Sequence, residues 1–488
     1  MKQTVALIAV GFSLAGCQYW RPQTSQSSHT GEASRELPAG NLPAKGPLLS
    51  YADVVSQVAP AVVTIRASQR VAAPQQFPFF DDPFFRELFG GHVPQGGGAR
   101  TEVEMALGSG VIVRPDGNIL TNDHVISGAQ DIKVELSNRR TYSAKVVGAD
   151  APSDLAVLKI NASGLPVLEL GDSDAVRVGD VCLAIGNPLG VGETVTNGII
   201  SAKQRATGLS SGNFEDFLQT DAPINKGNSG GALVNTRGEL IGINSQILSP
   251  TGASIGIGFA IPSNMARSVM DQLIGKGKVH RGMLGVGIQP VTSDLAASLG
   301  LKDVRGVLVN SVSPGEPGAK AGLRPGDVIL KLNGKDVNDP NTLRNEIAST
   351  APETDVTLTI NRNGMEQDIH ARLAELTPEA AQPGSKGGQN GGANGSKIGI
   401  AVAPLTPENN ADLGLPPGTQ GLLIQSVDPA GPAAQAGLQV GDVIQEVNRQ
   451  KVKTVDDVQS ALRSSGNRPP LLLVNRNGKT FFVPVPLS

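Results

Sequence analysis

Three side chains set far apart in the chain, His124, Asp154 and Ser229, have the types and settings that nucleophilic acyl chemistry needs. Ser229 lies in Asn225-Lys-Gly-Asn-Ser-Gly-Gly. A serine between a glycine and a glycine pair is what a nucleophile on a tight turn looks like. Gly227 can adopt backbone angles closed to other residues. Gly230 and Gly231 would let a substrate backbone approach closely. Amides along Gly227, Asn228 and Ser229 are then available to a developing oxyanion, whose stabilisation is usually the largest single contribution to acyl-transfer catalysis. Taken alone, the same stretch is also ordinary turn chemistry.

The histidines narrow the choice. Of five, His29 lies in a Ser/Gln/Thr-rich tail, His92 in a glycine-rich stretch, His280 at a domain junction and His370 in an alternating strand far downstream. Only His124 follows a clean strand pattern, Gly117-Asn-Ile-Leu-Thr-Asn-Asp-His-Val-Ile, which is expected to place it at a strand end. Such a histidine suits a general base better than a half-buried core residue. Asp154 opens Asp-Leu-Ala-Val-Leu-Lys-Ile, whose apolar run would hold the carboxylate at the edge of a core, where it can orient an imidazole. Asp150 is a nearby rival, and Asp123 is expected on the opposite face of the strand from His124. The order His, Asp, Ser is one of the known triad orders, that of chymotrypsin.

These groups need a scaffold of many short strands. The 488 residues suffice for three or four domains, and 60 Gly, 34 Pro and only 3% aromatics suit a mainly β chain better than a helical bundle. Apolar runs at Ala61-Val-Val-Thr-Ile, Gly110-Val-Ile-Val, Ile132-Lys-Val-Glu-Leu, Val181-Cys-Leu-Ala-Ile and Leu240-Ile-Gly-Ile read as strands. Residues 263–278 have helical spacing, with Ser263 or Asn264 as cap. A net charge of −3 gives no electrostatic ground for nucleic-acid binding. The two cysteines, Cys17 and Cys182, offer no metal spacing, Cys182 reads as a buried small apolar residue, and no cofactor is expected.

The organisation is legible along the chain. Residues 1–17 combine a short basic start, an apolar stretch and Leu14-Ala-Gly-Cys, which resembles the bacterial lipoprotein box and implies cleavage before Cys17 and its lipidation. An ordinary secretory signal is the alternative. Gln18 after the cysteine suggests, by resemblance, the outer membrane. Residues 18–48 read as a disordered tether, 49–275 as a first domain, and 377–396 as a flexible linker. On either side of that linker, at 280–376 and 397–488, a repeat occurs. Ala321-Gly-Leu-Arg-Pro-Gly-Asp-Val-Ile returns at an offset of 115 as Ala436-Gly-Leu-Gln-Val-Gly-Asp-Val-Ile. Within the first domain, residues 68–105 hold six of the twelve phenylalanines, at Phe77, Phe79, Phe80, Phe84, Phe85 and Phe89. That much ring surface must be buried against a partner, another subunit or its own barrel.

Thr121-Asn-Asp-His-Val, Ser153-Asp-Leu-Ala-Val-Leu-Lys, Thr194-Val-Thr-Asn-Gly-Ile-Ile-Ser-Ala, Gln219 through Leu233 and Gly256-Ile-Gly-Phe-Ala-Ile-Pro resemble the HtrA/DegP family of serine proteases. The likeness runs from about Tyr51 to the C-terminus. It implies a trypsin-like pair of six-stranded β-barrels followed by two PDZ domains, partly open α+β barrels. It implies a periplasmic serine endopeptidase that degrades unfolded or damaged proteins without ATP, chaperone-like in some members. Substrate contacts are implied at Ile224, Asn225 and Lys226, and at Ile243, Asn244 and Ser245. The first PDZ would bind exposed C-terminal peptides through Arg281, Gly282, Met283, Leu284, Gly285 and Val286. The second has only Lys397-Ile-Gly-Ile there, and a packing role between subunits is equally open. The resemblance further implies homo-oligomers built from trimers, with the Phe-rich loop reaching into a neighbouring subunit. Membrane contact would come only through Cys17. Asp123 stands where the family usually has Asn, and Lys226 where Pro or Arg is common. A PDZ-based holding protein with an idle protease fold is the alternative function.

Overall fold

The computed structural model describes residues 50–71, 102–187, 193–207, 214–225, 227–249, 254–377, 398–406, 409–410, 413, 415, 419–465 and 468–486. Cys17, the Phe-rich segment, Lys226 and the inter-repeat linker lie outside them.

Six strands close the first barrel: β1 (Val62–Val71), β2 (Glu102–Arg114), β3 (Asn118–Thr121), β4 (Asp131–Glu135), β5 (Thr141–Asp150) and β6 (Leu155–Ile160), in the order β1-β2-β3-β6-β5-β4. Six more close the second: β7 (Val181–Gly186), β8 (Thr194–Arg205), β9 (Phe217–Thr220), β10 (Ala232–Asn235), β11 (Leu240–Ile247) and β12 (Gly258–Pro262), in the order β10-β11-β12-β9-β8-β7. Closure leaves no sheet edge.

Side-chain alternation explains why several strands are apolar on both faces. In β2, Ile112 points into the first barrel while Val111 and Val113 point outward, and in β7 Ala184 points into the second barrel while Leu183 and Ile185 point outward. The outward sets meet in one core between the barrels, with Leu155 and Val157 of β6 and Val234 of β10. Burying each such side chain fully contributes about 1.5–3 kcal/mol. The helix Ser263–Lys276 covers this core with Ala266, Val269, Met270 and Leu273. It stops at Gly277, whose φ of 73° is the left-handed ending that glycine tolerates. Ser263 does not cap the helix. It is the first helical residue, Pro262 is the N-cap, and the Ser263 hydroxyl donates to the Gly171 carbonyl at 2.8 Å.

The repeat forms two similar sheets. The first runs Val286–Pro290, Val307–Val312, Val328–Leu332, Asp355–Arg362, Met365–Arg372, and the second Ile400–Pro404, Leu422–Val427, Val443–Val447, Leu471–Arg476, Lys479–Pro484. The repeated Gly-Asp motif has a structural cause. Asp327 and Asp442 are almost fully buried, and each takes a two-pronged ion pair, from Arg362 and Arg476 respectively, at 2.6–2.7 Å. A buried carboxylate needs such a partner. The two repeats also share a core. Leu308, Val328 and Leu330 of the first pack with Leu471, Leu473 and Phe482 of the second. Gln289 exchanges two hydrogen bonds with the Phe482 backbone, at 3.1 and 2.8 Å.

Candidate active site

His124 does not end a strand. β3 stops at Thr121, and His124 is the second residue of a one-turn helix, Asp123–Ile126. Strand alternation therefore does not separate it from Asp123. The buried Asn122 side chain donates to the Asp154 carbonyl at 2.9 Å and ties the strand end to the turn after β5. That turn is a 3-10 segment, Ala151–Ser153, capped by Asp150, whose carboxylate accepts from the Ser153 amide at 3.1 Å. Asp154 follows with φ 53°, a left-handed conformation in which Asp is one of the more tolerated residues.

The carboxylate that meets His124 is Asp154's. Its oxygens lie 2.8 and 2.9 Å from Nδ1, and one also accepts the His124 amide at 3.1 Å. An ionised carboxylate only accepts, so Nδ1 carries a proton and neutral His124 keeps Nε2 as a base. Asp150 is engaged elsewhere. Ser245 was expected to touch substrate; its hydroxyl donates to Asp154 Oδ2 at 2.8 Å, and its carbonyl accepts from Ser229 Oγ at 3.0 Å. Ser245 thus bridges the carboxylate and the serine from β11, a role that only the fold reveals.

Burial opposes a charge on His124, but the Asp154 carboxylate, its hydrogen bond and then Asp123 outweigh it and hold the imidazole above its ordinary value. Burial, then the charge of Asp154, pushes Asp123 up to about 6, against the pull of His124. A general base must be neutral, so its activity disappears as pH falls through a raised pKa. The acid limb of kcat/KM is expected above the ordinary imidazole value of about 6.5. Asp123→Asn removes one charge favouring the imidazolium and should move that limb to lower pH, the effect acting above about pH 6 where Asp123 is ionised. Initial rates from pH 5 to 9 on both proteins check this, and coincident limbs would contradict it.

The Ser229 loop is held from several sides. Gly227 has φ 93°, and the Asn228 amide donates to the Asn225 carbonyl at 3.0 Å in a tight turn. Asn228 is therefore not an oxyanion donor; its N–H is engaged within the loop. The amides of Gly227 and Ser229 have no backbone acceptor among the described residues. Gly230 and Gly231 serve the protein's own packing rather than substrate approach. A Cβ on Gly230 would sit 2.1 Å from the Ser109 carbonyl, and one on Gly231 2.2 Å from that of Ile185.

Two further residues expected at substrate are core residues. Ile224 and Ile243 are 2% and 0% exposed, in the core of the second barrel and the core between barrels. Asn244 is fully buried and donates to the Ala232 carbonyl at 3.0 Å. Asn225 is exposed beside the serine loop. In the first repeat, Gly282 and Met283 pair with Glu375 and Ala374, Leu284 is buried, and Gly285 has φ 70°. Val286 starts the edge strand. Arg281 faces the first barrel. Its guanidinium meets Asp150 at 2.8 and 2.5 Å and lies 4.5 Å over the Phe214 ring. The Phe214 amide in turn donates to the Pro152 carbonyl at 2.8 Å.

Residues 108–243 match the Trypsin-like peptidase domain family, and residues 282–373 and 423–476 match PDZ domains. The chain is 42% identical to a probable periplasmic serine endoprotease DegP-like from Chlamydia pneumoniae, over 89% of this chain and 88% of that one. This chain belongs to the DegP/HtrA family of serine proteases. It is 41% identical to the periplasmic pH-dependent serine endoprotease DegQ of Escherichia coli (strain K12), covering 91% of this chain and 93% of DegQ. Among solved structures, an HtrA-type protease, AlgWS227A with decapeptide, shares 46% identity at a TM-score of 0.55, covering 69% of this chain and all of that one. The DegP-like protein is thus a trypsin-like serine endoprotease of the periplasm, with two closed barrels and two PDZ domains. A holding protein with an idle protease fold is not supported.

Proposed function

We propose that this DegP-like protease cleaves unfolded polypeptides through an acyl-enzyme on Ser229. The observation that carries this is the pair of short contacts from Asp154 to His124 Nδ1. They fix the tautomer and stabilise the imidazolium that forms when Nε2 takes the serine proton. The Ser229 hydrogen, which points to the Ser245 carbonyl, must turn toward the imidazole for that transfer. The amides of Gly227 and Ser229 then stabilise the oxyanion. Treating the full-length protein with a fluorophosphonate and mapping the adduct tests the assignment. Modification of Ser229 alone, with loss of casein degradation in proportion, is the expected result; an adduct on another serine would overturn it.

The first PDZ supports capture of exposed C-terminal peptides. Its Val286–Pro290 strand lies at the sheet edge, where a peptide can add as a further strand. Oligomers built from trimers, with the Phe-rich loop as the regulator of assembly, complete the proposal. Deleting residues 77–90 should leave the protease folded, shift large assemblies toward trimers and raise basal peptide cleavage. Light scattering beside a peptide assay measures both, and unchanged size and rate would mean the rings pack on their own barrel. Lipidation of Cys17, tethering the enzyme to the outer membrane, predicts an acylated N-terminus by mass spectrometry of the mature protein.

A further inference from the structure

The hydroxyl of Ser109 belongs to the first barrel, yet its partners belong to the second. Ser109 lies in β2 and is fully buried. Its Oγ is 2.6 Å from the Gly227 carbonyl and 2.9 Å from the Asn187 amide. A carbonyl can only accept and an amide can only donate, so both capacities of the hydroxyl are assigned without choice. The Ser109 amide donates to the Ser229 carbonyl at 2.8 Å. The Ser109 carbonyl accepts from Thr121 Oγ1 at 2.7 Å, three residues before His124.

A peptide unit is a plane, so a hydrogen bond at each end fixes its orientation. The unit joining Gly227 to Asn228 is held by Ser109 Oγ on its carbonyl and by the Asn225 carbonyl on its N–H. The unit joining Ser229 to Gly230 is held by the Ser109 amide on its carbonyl and by the Asn244 carbonyl on its N–H, at 2.8 Å each. Between them, the unit joining Asn228 to Ser229 is held at its carbonyl by the Gly231 amide, at 2.9 Å. The Ser229 N–H belongs to that middle unit, and the Gly227 N–H is separated from the first only by the φ and ψ of Gly227 itself. Glycine at 227 leaves those two rotations without the steric restraint of a Cβ. The restraint comes instead from a side chain 118 residues away.

We infer that Ser109 is a positioning residue that sets the peptide planes of the oxyanion-binding turn and holds them in register with the strand that leads to His124. The inference rests on the assignment of Ser229 as nucleophile and of the Gly227 and Ser229 amides as oxyanion donors. Ser109 touches no substrate; it decides where the donors point. Such donors are effective only when they are aimed before charge develops, and losing one costs about 10²–10³ in kcat.

Ser109→Ala in the full-length protein removes the hydroxyl and keeps the amide contact to Ser229. Its kcat on a fluorogenic peptide should fall about 10- to 100-fold with KM unchanged, as expected for interactions made only in the transition state. Affinity for a peptide aldehyde, whose adduct carries the tetrahedral oxyanion, should fall by the same factor. The acid limb of the pH profile should stay in place, because the His124–Asp154 contacts are untouched. If Ser109→Ala does not fold, as judged by its unfolding midpoint, the near-isosteric Ser109→Cys, a weaker donor, carries the same comparison with a smaller expected loss. Wild-type kcat and aldehyde affinity in a folded variant would overturn the inference, and so would a kcat loss without a matching loss of aldehyde affinity. Failure of the underlying assignment looks different: the fluorophosphonate adduct on the wild-type enzyme would then lie on a residue other than Ser229.

Discussion

Asp154→Asn should lower kcat about 10⁴-fold while leaving substrate binding intact, the size such an exchange has in a chymotrypsin-type triad. The carboxylate now receives three donors: His124 Nδ1, the His124 amide and the Ser245 hydroxyl. An amide in its place can present its NH₂ to Nδ1, which moves the imidazole proton to Nε2 and removes the base. Single-turnover kinetics with a peptide ester, beside equilibrium binding of the same peptide to the variant, measure the two effects separately. The counterpart is Asp150→Asn, which keeps an oxygen for the Ser153 amide and leaves the His124 contacts alone. It also leaves the buried Arg281 guanidinium without its anion, so it should cost stability and lower kcat somewhat, but far less than the loss from Asp154→Asn. A catastrophic Asp150→Asn with a mild Asp154→Asn would mean that the functional carboxylate is the other one.

Arg281→Ala should destabilise the protein by about 3–5 kcal/mol, because it leaves the buried Asp150 without its cation. The side chains are only 10% and 8% exposed, so water cannot replace the guanidinium. The loss should reach the active site as well. Asp150 caps the 3-10 turn that carries Asp154, and Phe214, under the guanidinium, donates to Pro152 of that turn. The first PDZ also grips the neighbouring segment through Asn341 and Asn345, both 2.7 Å from the Glu215 carbonyl. Loss of the Arg281 contact is therefore expected to loosen the Asp154 turn and reduce kcat. Pairing Arg281→Met with Asp150→Asn removes both charges while keeping a cap acceptor, and should recover most of the stability. Chemical denaturation of the wild type and these two variants measures this. If Arg281→Ala unfolds at the wild-type midpoint, the ion pair has no structural weight and the bracing of Asp154 from the PDZ side is wrong.

Much of this enzyme was legible in one dimension. The glycines around Ser229 announce a turn because few other residues tolerate a φ of 93° at 227 or the contact with Ser109 at 230. His124 stood out by elimination, and the paired Gly-Asp motifs exposed two copies of one domain. Those are local facts, set by backbone sterics and by repetition. The remainder depended on which strand became the neighbour of which. An isoleucine reads the same in sequence whether it faces substrate or core, and only barrel closure sent Ile224 and Ile243 inward. Arg281 sits in a PDZ loop by sequence, but domain packing gave it a buried carboxylate 131 residues away. Ser245 and Ser109 carry no local mark at all. Each acquires its work from a hydrogen bond that spans 91 or 118 residues, and such partners exist only once the two barrels have closed on each other. Sequence pattern records the conformation and polarity each residue prefers; the tertiary fold alone decides which distant group satisfies a buried donor or acceptor, because that satisfaction is obligatory but its partner is not encoded nearby.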